Sequence, residues 1–194
     1  TGSGKTEILR ELKTRGFQVI DLEKIAHHKG SAFGSLGEQR QPTTEQFEND
    51  LLFEFLKYDA NKTIWLENES QSIGRVFIPP ELYEQMKNSK LFNLEIPMKA
   101  RISRLINEYS LYEDKHLFDC ISRIRKKIGG QNFKEAEIAL ENKDYKKFAA
   151  IALRYYDKTY RFGLHKKQTK NLISLYSDSG NAKINADLIE KSLQ

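Results

Sequence analysis

Residues 1–6 read TGSGKT, and nearly every one of them suits an anion site. Gly2 and Gly4, with Ser3 between them, let backbone N–H groups turn inward around a phosphate. Lys5 adds a point charge, and the Thr6 hydroxyl can ligate a metal. The spacing matches the back half of the phosphate-binding loop G-x-x-x-x-G-K-[ST], whose helix aims its N-terminus at the bound group. The competing explanation is a lysine-bearing glycine turn before an ordinary helix. In the full pattern the first glycine stands two residues before Thr1. The strand that feeds the loop is therefore expected to be missing here, leaving a parallel sheet without its central partner.

Acidic residues supply the second candidate group. The string TIWLENES is an apolar run ending at Glu67, with Glu69 two residues on. Strand alternation would put both on one side, where they hold a metal–water shell or act as a base. Two solvated loop carboxylates explain the same letters. Asp21 ends FQVID and points into the crevice where open α/β sheets bind ligands. His27 and His28 are adjacent and no cysteine accompanies them, so no zinc site is expected. With Lys29 and Ser31 they read instead as a basic loop near phosphate, or as a structural loop. Arg75 and Arg101, with Arg104, are candidate bidentate phosphate clamps, although surface arginines are commoner. Cys120 lies beside the helical stripe Leu117, Ile121, Ile124 and Ile128, which reads as a buried hydrophobe rather than a catalytic thiol.

The elements around these residues alternate. The spacing predicts a helix in KTEILRELKTRG stopped by Gly16, a strand at FQVID, and a long glycine-bearing loop through Pro42. A capped helix follows in TTEQFENDLLFEFLKYD, with Phe47, Leu51, Leu52, Phe55 and Leu56 on one face. Then come the strand of Glu67, a loop QSIGRVFIPP, a helix begun by Pro79-Pro80, and a strand KLFNLEIP. Helices are predicted over 98–109, 115–128, 132–141 and 144–157, before a last strand near 171–176 and a last helix. The expected fold is α/β, a phosphate-loop NTPase-like parallel sheet with a mostly helical basic annex. Three segments follow: a core over 1–97, truncated at its start, the annex over 98–170, and the closing strand and helix over 171–194.

Charge sharpens that division. The net charge is +5, yet residues 1–97 carry 12 Lys+Arg against 15 Asp+Glu, and residues 98–170 carry 18 against 9. The whole positive excess sits in the annex, among Tyr155, Tyr156, Tyr160 and Phe162. Cations interleaved with stacking side chains suit RNA, and packed aromatics under a solvated basic face explain the pattern without a partner. The expected RNA face comprises Arg123, Arg125, Lys126, Lys127, Lys147, Arg154, Arg161, Lys166 and Lys167. No apolar run approaches a membrane span and no secretory pattern opens the chain, so a cytoplasmic protein is expected, with no membrane partner.

Taken together, TGSGKTEIL, GFQVIDLE, AHHKGSAFG, QPTTEQFEN, WLENESQSIGRVFIP and YYDKTY resemble one family, tRNA 2-selenouridine synthase. The likeness is almost unbroken over the first half and looser over the helices, where RIRKKIGG and YYDKTY carry it. It implies a second domain that is absent here, a rhodanese-like domain with a reactive cysteine, for which Cys120 is no counterpart. It implies conversion of wobble 2-thiouridine in tRNA to 2-selenouridine through an S-geranylated intermediate. Geranyl diphosphate and selenophosphate are the implied co-substrates, with magnesium admitted. On that basis Lys5, Thr6, Asp21, Glu67 and Glu69 are the expected catalytic residues, and Phe33, Phe77 and Ile78 an apolar wall for the isoprenoid. A nucleoside or small-molecule kinase and a non-catalytic tRNA-binding module are the alternatives.

Overall fold

The computed structural model describes residues 1–166 and 171–193. The chain divides into two compact units. One, the loop-helix unit, comprises Gly4–Asn93, Asn171–Leu175 and Asn181–Gln194; the other, the helical unit, comprises Thr1–Ser3, Leu94–Lys170 and Tyr176–Gly180. The main stretch of the helical unit begins four residues before the charge-based boundary at Met98 and shares its end at Lys170, and the unit also takes in Thr1–Ser3 and Tyr176–Gly180.

The loop-helix unit is mixed α/β. Its first helix α1 (Lys5–Thr14) buries Ile8, Leu9 and Leu12 and ends as predicted before Gly16. The strand β1 (Gln18–Val19) follows, then a short helix α2 (Leu22–Ala26) that periodicity does not reveal. Its cause is Asp21, whose side chain caps it by accepting from the Lys24 N–H at 2.8 Å. The helix α3 (Thr44–Phe55) is capped by Thr43 as expected, through the Gln46 N–H. Its buried face is narrower than predicted. Phe47 and Leu51 enter the core with Phe55 against it, but Leu52 and Leu56 lie a further 100° round and are exposed.

Strand β2 (Ile64–Trp65) pairs in parallel with β1, Gln18 opposite Ile64 and Val19 opposite Trp65. Trp65 packs between Phe17, with centroids 6.2 Å apart, and Phe92 at 4.9 Å. The stretch predicted as a loop is a hairpin instead, β3 (Ser72–Ile73) against β4 (Val76–Phe77), turning at Gly74-Arg75. Gln41 fastens it: its amide donates to the carbonyls of Ala26 and Ile73, and its own oxygen accepts from the Arg75 N–H, all at 2.9 Å. Helix α4 (Pro80–Asn88) and strand β5 (Leu91–Glu95) complete the alternation. The core joins Ile20, Leu22, Ala26, Phe47, Leu51, Ile73, Val76 and Ile78. Each of the larger side chains, Ala26 aside, contributes about 1.5–3 kcal/mol by leaving water. Ile20 and Leu22, both fully buried, therefore fix the backbone on either side of Asp21.

In the helical unit, α5 (Met98–Tyr109) matches its prediction. The helix predicted over 115–128 breaks at Ile124 into α6 (Asp114–Arg123) and α7 (Arg125–Ile128). The next, α8 (Gly130–Glu141), is nearly as predicted, whereas α9 (Tyr145–Lys166) runs well past Asp157. Tyr109 meets Phe148 edge-on at 5.8 Å, and Phe118 meets Phe133 at the same distance. Cys120 is buried with Leu117 and Ile121, and burial pushes its thiol up, which makes it inert.

The last strand is β6 (Leu172–Tyr176) and the last helix α10 (Ala182–Lys191). Leu91 N–H donates to the Asn171 carbonyl at 2.9 Å, and Ser177 N–H to Glu95 at 3.0 Å, so β5 and β6 run in the same direction. Among the described residues no ladder joins this pair to β1–β2. Arg15 ties α1 to α10 through Asp187 at 2.5 Å and Glu190 at 3.0 Å.

Candidate functional site

Two glutamates and one lysine meet at the start of α1, and a third glutamate is buried against the Leu22 N–H. Gly4 caps that helix with φ +77°, a left-handed conformation that costs glycine nothing. Lys5 follows, and its ammonium pairs with Glu23 Oε1 at 2.9 Å and with the Glu69 carboxylate. The Thr6 hydroxyl donates to Glu23 Oε2 at 3.0 Å. One carboxylate therefore spans both loop side chains.

Glu23, Glu67 and Glu69 are 5%, 2% and 6% exposed, which excludes solvated loop carboxylates. Regular β2 ends at Trp65, and the Glu69 N–H turns back to the Glu67 carbonyl at 2.9 Å. Instead of sharing one direction by strand alternation, the two side chains part. Glu69 reaches Lys5, and Glu67 Oε2 accepts from the Leu22 N–H at 2.9 Å. Burial raises the Glu67 carboxyl to about 8, and the neighbouring Asp21 charge adds to the effect. Burial likewise raises Glu23, with the Lys5 charge opposing and Glu69 reinforcing.

Asp21 sits on the edge of this cluster as the cap of α2, with Arg10 at 3.9 Å from its carboxylate. The loop after α2 packs onto Glu69. Gly30, at φ +65°, has no side chain where a Cβ would stand 2.2 Å from Glu69 Oε2. His28 is buried and its Nδ1 accepts from the Gly30 N–H at 3.2 Å, while His27 Nδ1 meets the Arg40 carbonyl. Ser31 Oγ accepts from the Phe33 N–H, and Lys29 lies 3.7 Å from Glu38. These four residues shape the loop through local contacts. Arg75 is exposed on the β3–β4 turn. Ile78 is fully buried in the core and Phe33 is buried too, so of the expected isoprenoid wall only Phe77 offers surface.

Gly2, Ser3 and Arg101 belong to the helical unit. Arg101 forms a fork with Asp157, 3.1 Å and 2.6 Å, and gives its remaining donors to the Thr1 carbonyl at 3.0 and 2.8 Å. Gly2 backs onto the Arg101 carbonyl and Leu105. Arg104 reaches the Gly180 carbonyl at 2.8 Å. In the same unit Arg123, Arg125, Lys126 and Lys127 are exposed along the ends of α6 and α7, Arg125 stacking 5.0 Å over Phe133. Lys147, Arg154 and Arg161 recur every seventh residue on α9 and are all exposed, so they share one face. Lys166 ends α9, and Lys167 lies outside the described residues.

Glu23 and Asp157 are the residues that the sequence pattern misses. For Glu23 the signal was Asp-Leu-Glu directly after a strand, since a capping Asp21 puts Glu23 in the first turn of a helix. Among the described residues, no group of three or more His, Cys, Asp or Glu is arranged to hold a metal ion. Glu23 and Glu69 face Lys5 instead of a shared centre, so the residues do not fit a resident magnesium. Nor is any described helix long and apolar enough to cross a membrane.

The family model for the tRNA 2-selenouridine synthase AAA domain matches residues 1–185. A tRNA 2-selenouridine synthase of Shewanella sediminis is 34% identical over 201 residues, covering 88% of this chain and 53% of the relative. One from Shewanella woodyi is 33% identical with the same coverage, and one from Nitrosomonas eutropha is 31% identical over 73% of this chain and 45% of its own. The chain thus spans about half the length of the curated relatives it matches. No solved structure matches. The chain belongs to the tRNA 2-selenouridine synthase family.

Proposed function

We propose that this chain is the phosphate-handling part of a cytoplasmic tRNA-modifying transferase that converts wobble 2-thiouridine to 2-selenouridine through an S-geranyl intermediate. The observation that carries it is the Lys5 ammonium and Thr6 hydroxyl, side by side at the first turn of α1 and backed by buried carboxylates. Both donors, geranyl diphosphate and selenophosphate, present phosphates. The α1 N-terminus, the Gly4 and Lys5 N–H groups and the Lys5 charge would stabilise negative charge on a departing diphosphate. Glu67, held largely neutral by burial, would serve as acid or base beside Asp21. This is a phosphate-loop NTPase-like core used without nucleotide hydrolysis.

The annex would take the tRNA. Its exposed cations on α6, α7 and α9 suit a polyanion, whereas the first 97 residues carry more acid than base. Selenium transfer would fall to the relatives' remaining length, where the family resemblance implies a rhodanese-like domain. Diphosphate release from geranyl diphosphate and thiolated tRNA, followed beside ATP consumption, tests this. Release that needs both substrates and spares ATP is expected. ATP turnover with a hydroxyl acceptor would make the chain a kinase, and no turnover of either a binding module.

A further inference from the structure

Lys5 is held by two carboxylates that differ in how firmly they are themselves held. Glu23 is anchored on every side. It stands in the first turn of α2, between the Asp21 cap and the fully buried Ala26, beside Leu22, whose N–H is bound by Glu67. Its two oxygens are divided between Lys5 and Thr6. Glu69 stands past the end of β2, outside regular structure, and its carboxylate has Lys5 as its one side-chain partner among the described residues. Beside it lies Gly30, where the chain supplies backbone and no side chain.

Two carboxylates on one ammonium leave the cluster negative. An anion of two or more charges gains little from an ammonium that is already saturated, and it is repelled by whatever carboxylate stays. One of the two must give way. We propose that Glu23 and Glu69 hold Lys5 for different purposes: Glu23 is a positioning residue that keeps the ammonium and the Thr6 hydroxyl together, and Glu69 is the partner that an incoming diphosphate displaces. This rests on the reading of the loop as a phosphate site and adds to it a residue, Glu23, and an exchange. The displaced carboxylate leaves Lys5, and Gly30, against whose bare Cα it now rests, adds no side chain to hold it there. Lys5 then passes from Glu69 to the anion without leaving Glu23.

The two carboxylates should therefore answer neutralisation with opposite signs. The test is calorimetric titration of the purified protein with inorganic diphosphate at fixed ionic strength, for wild type, Lys5→Ala, Glu23→Gln, Glu23→Asp and Glu69→Gln. Glu69→Gln removes the competing charge and should tighten binding about fivefold to tenfold. Glu23→Gln loosens Lys5 and Thr6 and should weaken binding about tenfold, with Glu23→Asp recovering part of the loss. A carboxylate that merely props up the fold would lower the melting temperature without producing this sign reversal. Glutamine changes at both positions that move affinity the same way, or not at all, overturn the exchange. Should Glu23→Gln fail to fold, Glu69→Gln decides alone, and weaker or unchanged binding sinks the proposal. Lys5→Ala is a separate control: wild-type affinity there would remove the phosphate site itself.

Discussion

Lys5 and Arg101 are both cations held by carboxylates, but in opposite proportions. Arg101 meets one carboxylate, Asp157, through a two-pronged fork, and gives its other donors to a backbone carbonyl. Charge balances charge, and four guanidinium hydrogen bonds hold the plane. Lys5 meets two carboxylates, with a third, Glu67, buried on the same short stretch. A balanced pair fixes a backbone, as Arg101 fixes Thr1. A surplus of buried acid stabilises nothing by itself and is kept where another charge has to come and go.

The widest split between the two regions is expected in catalysis. Lys5→Ala should cost transfer about 2.7–4 kcal/mol in the transition state, a few hundredfold in rate, while tRNA affinity holds. Single-turnover geranyl transfer beside filter binding measures both, and an unchanged rate would take Lys5 out of the chemistry. Next in size is the balanced pair. Asp157→Ala leaves a mostly buried guanidinium with half its partners and should cost about 2–3 kcal/mol in urea unfolding. Asp157→Leu combined with Arg101→Met should cost less than either change alone, as it does only if the pair is structural.

A third prediction uses pH. The Glu67 carboxyl lies at about 8 when folded, against an ordinary 4.5, so the folded chain holds a proton that the unfolded chain releases. Its contribution to stability is complete below about pH 4.5 and is lost as pH rises through about 8. Glu67→Gln keeps an acceptor for the Leu22 N–H and should be nearly neutral at about pH 5. At about pH 9 it should be more stable than wild type, on the order of 2 kcal/mol. Equal urea midpoints at both ends would show that Glu67 ionises normally. The smallest effect is expected at Gly30. Gly30→Ala places a Cβ against Glu69 at a positive φ and should cost about 1 kcal/mol. Its informative readout is diphosphate affinity, which should rise as Glu69 is pushed off Lys5.

How much of this was legible follows from where each feature draws its cause. The α1 and α5 helices rest on local periodicity and were read within a residue or two. The β3–β4 hairpin was missed because only two residues pair on each side, and Gln41, thirty residues upstream, does much of the fastening. The break at Ile124 cuts an unbroken apolar stripe, which a pattern of spacing cannot register. The loop residues of the site were legible because the glycine-lysine string carries its own chemistry. Glu23 was not, since a charged letter reads as surface until a partner is known, and its partners Lys5 and Thr6 lie 18 and 17 residues away. Asp157 was hidden in the same way, inside a string of tyrosines and cations that suggested RNA.

The position of Trp65 makes the loop-helix unit visible by itself. It is the only tryptophan of the chain, wedged between Phe17 and Phe92 and two residues from Glu67. Light at the red edge of aromatic absorption excites it alone, although the nine tyrosines include several in the helical unit. Its emission therefore follows melting of the β1–β2 pair without a signal from the annex. A protein unfolding in two steps would show one step in tryptophan emission and both in far-ultraviolet dichroism.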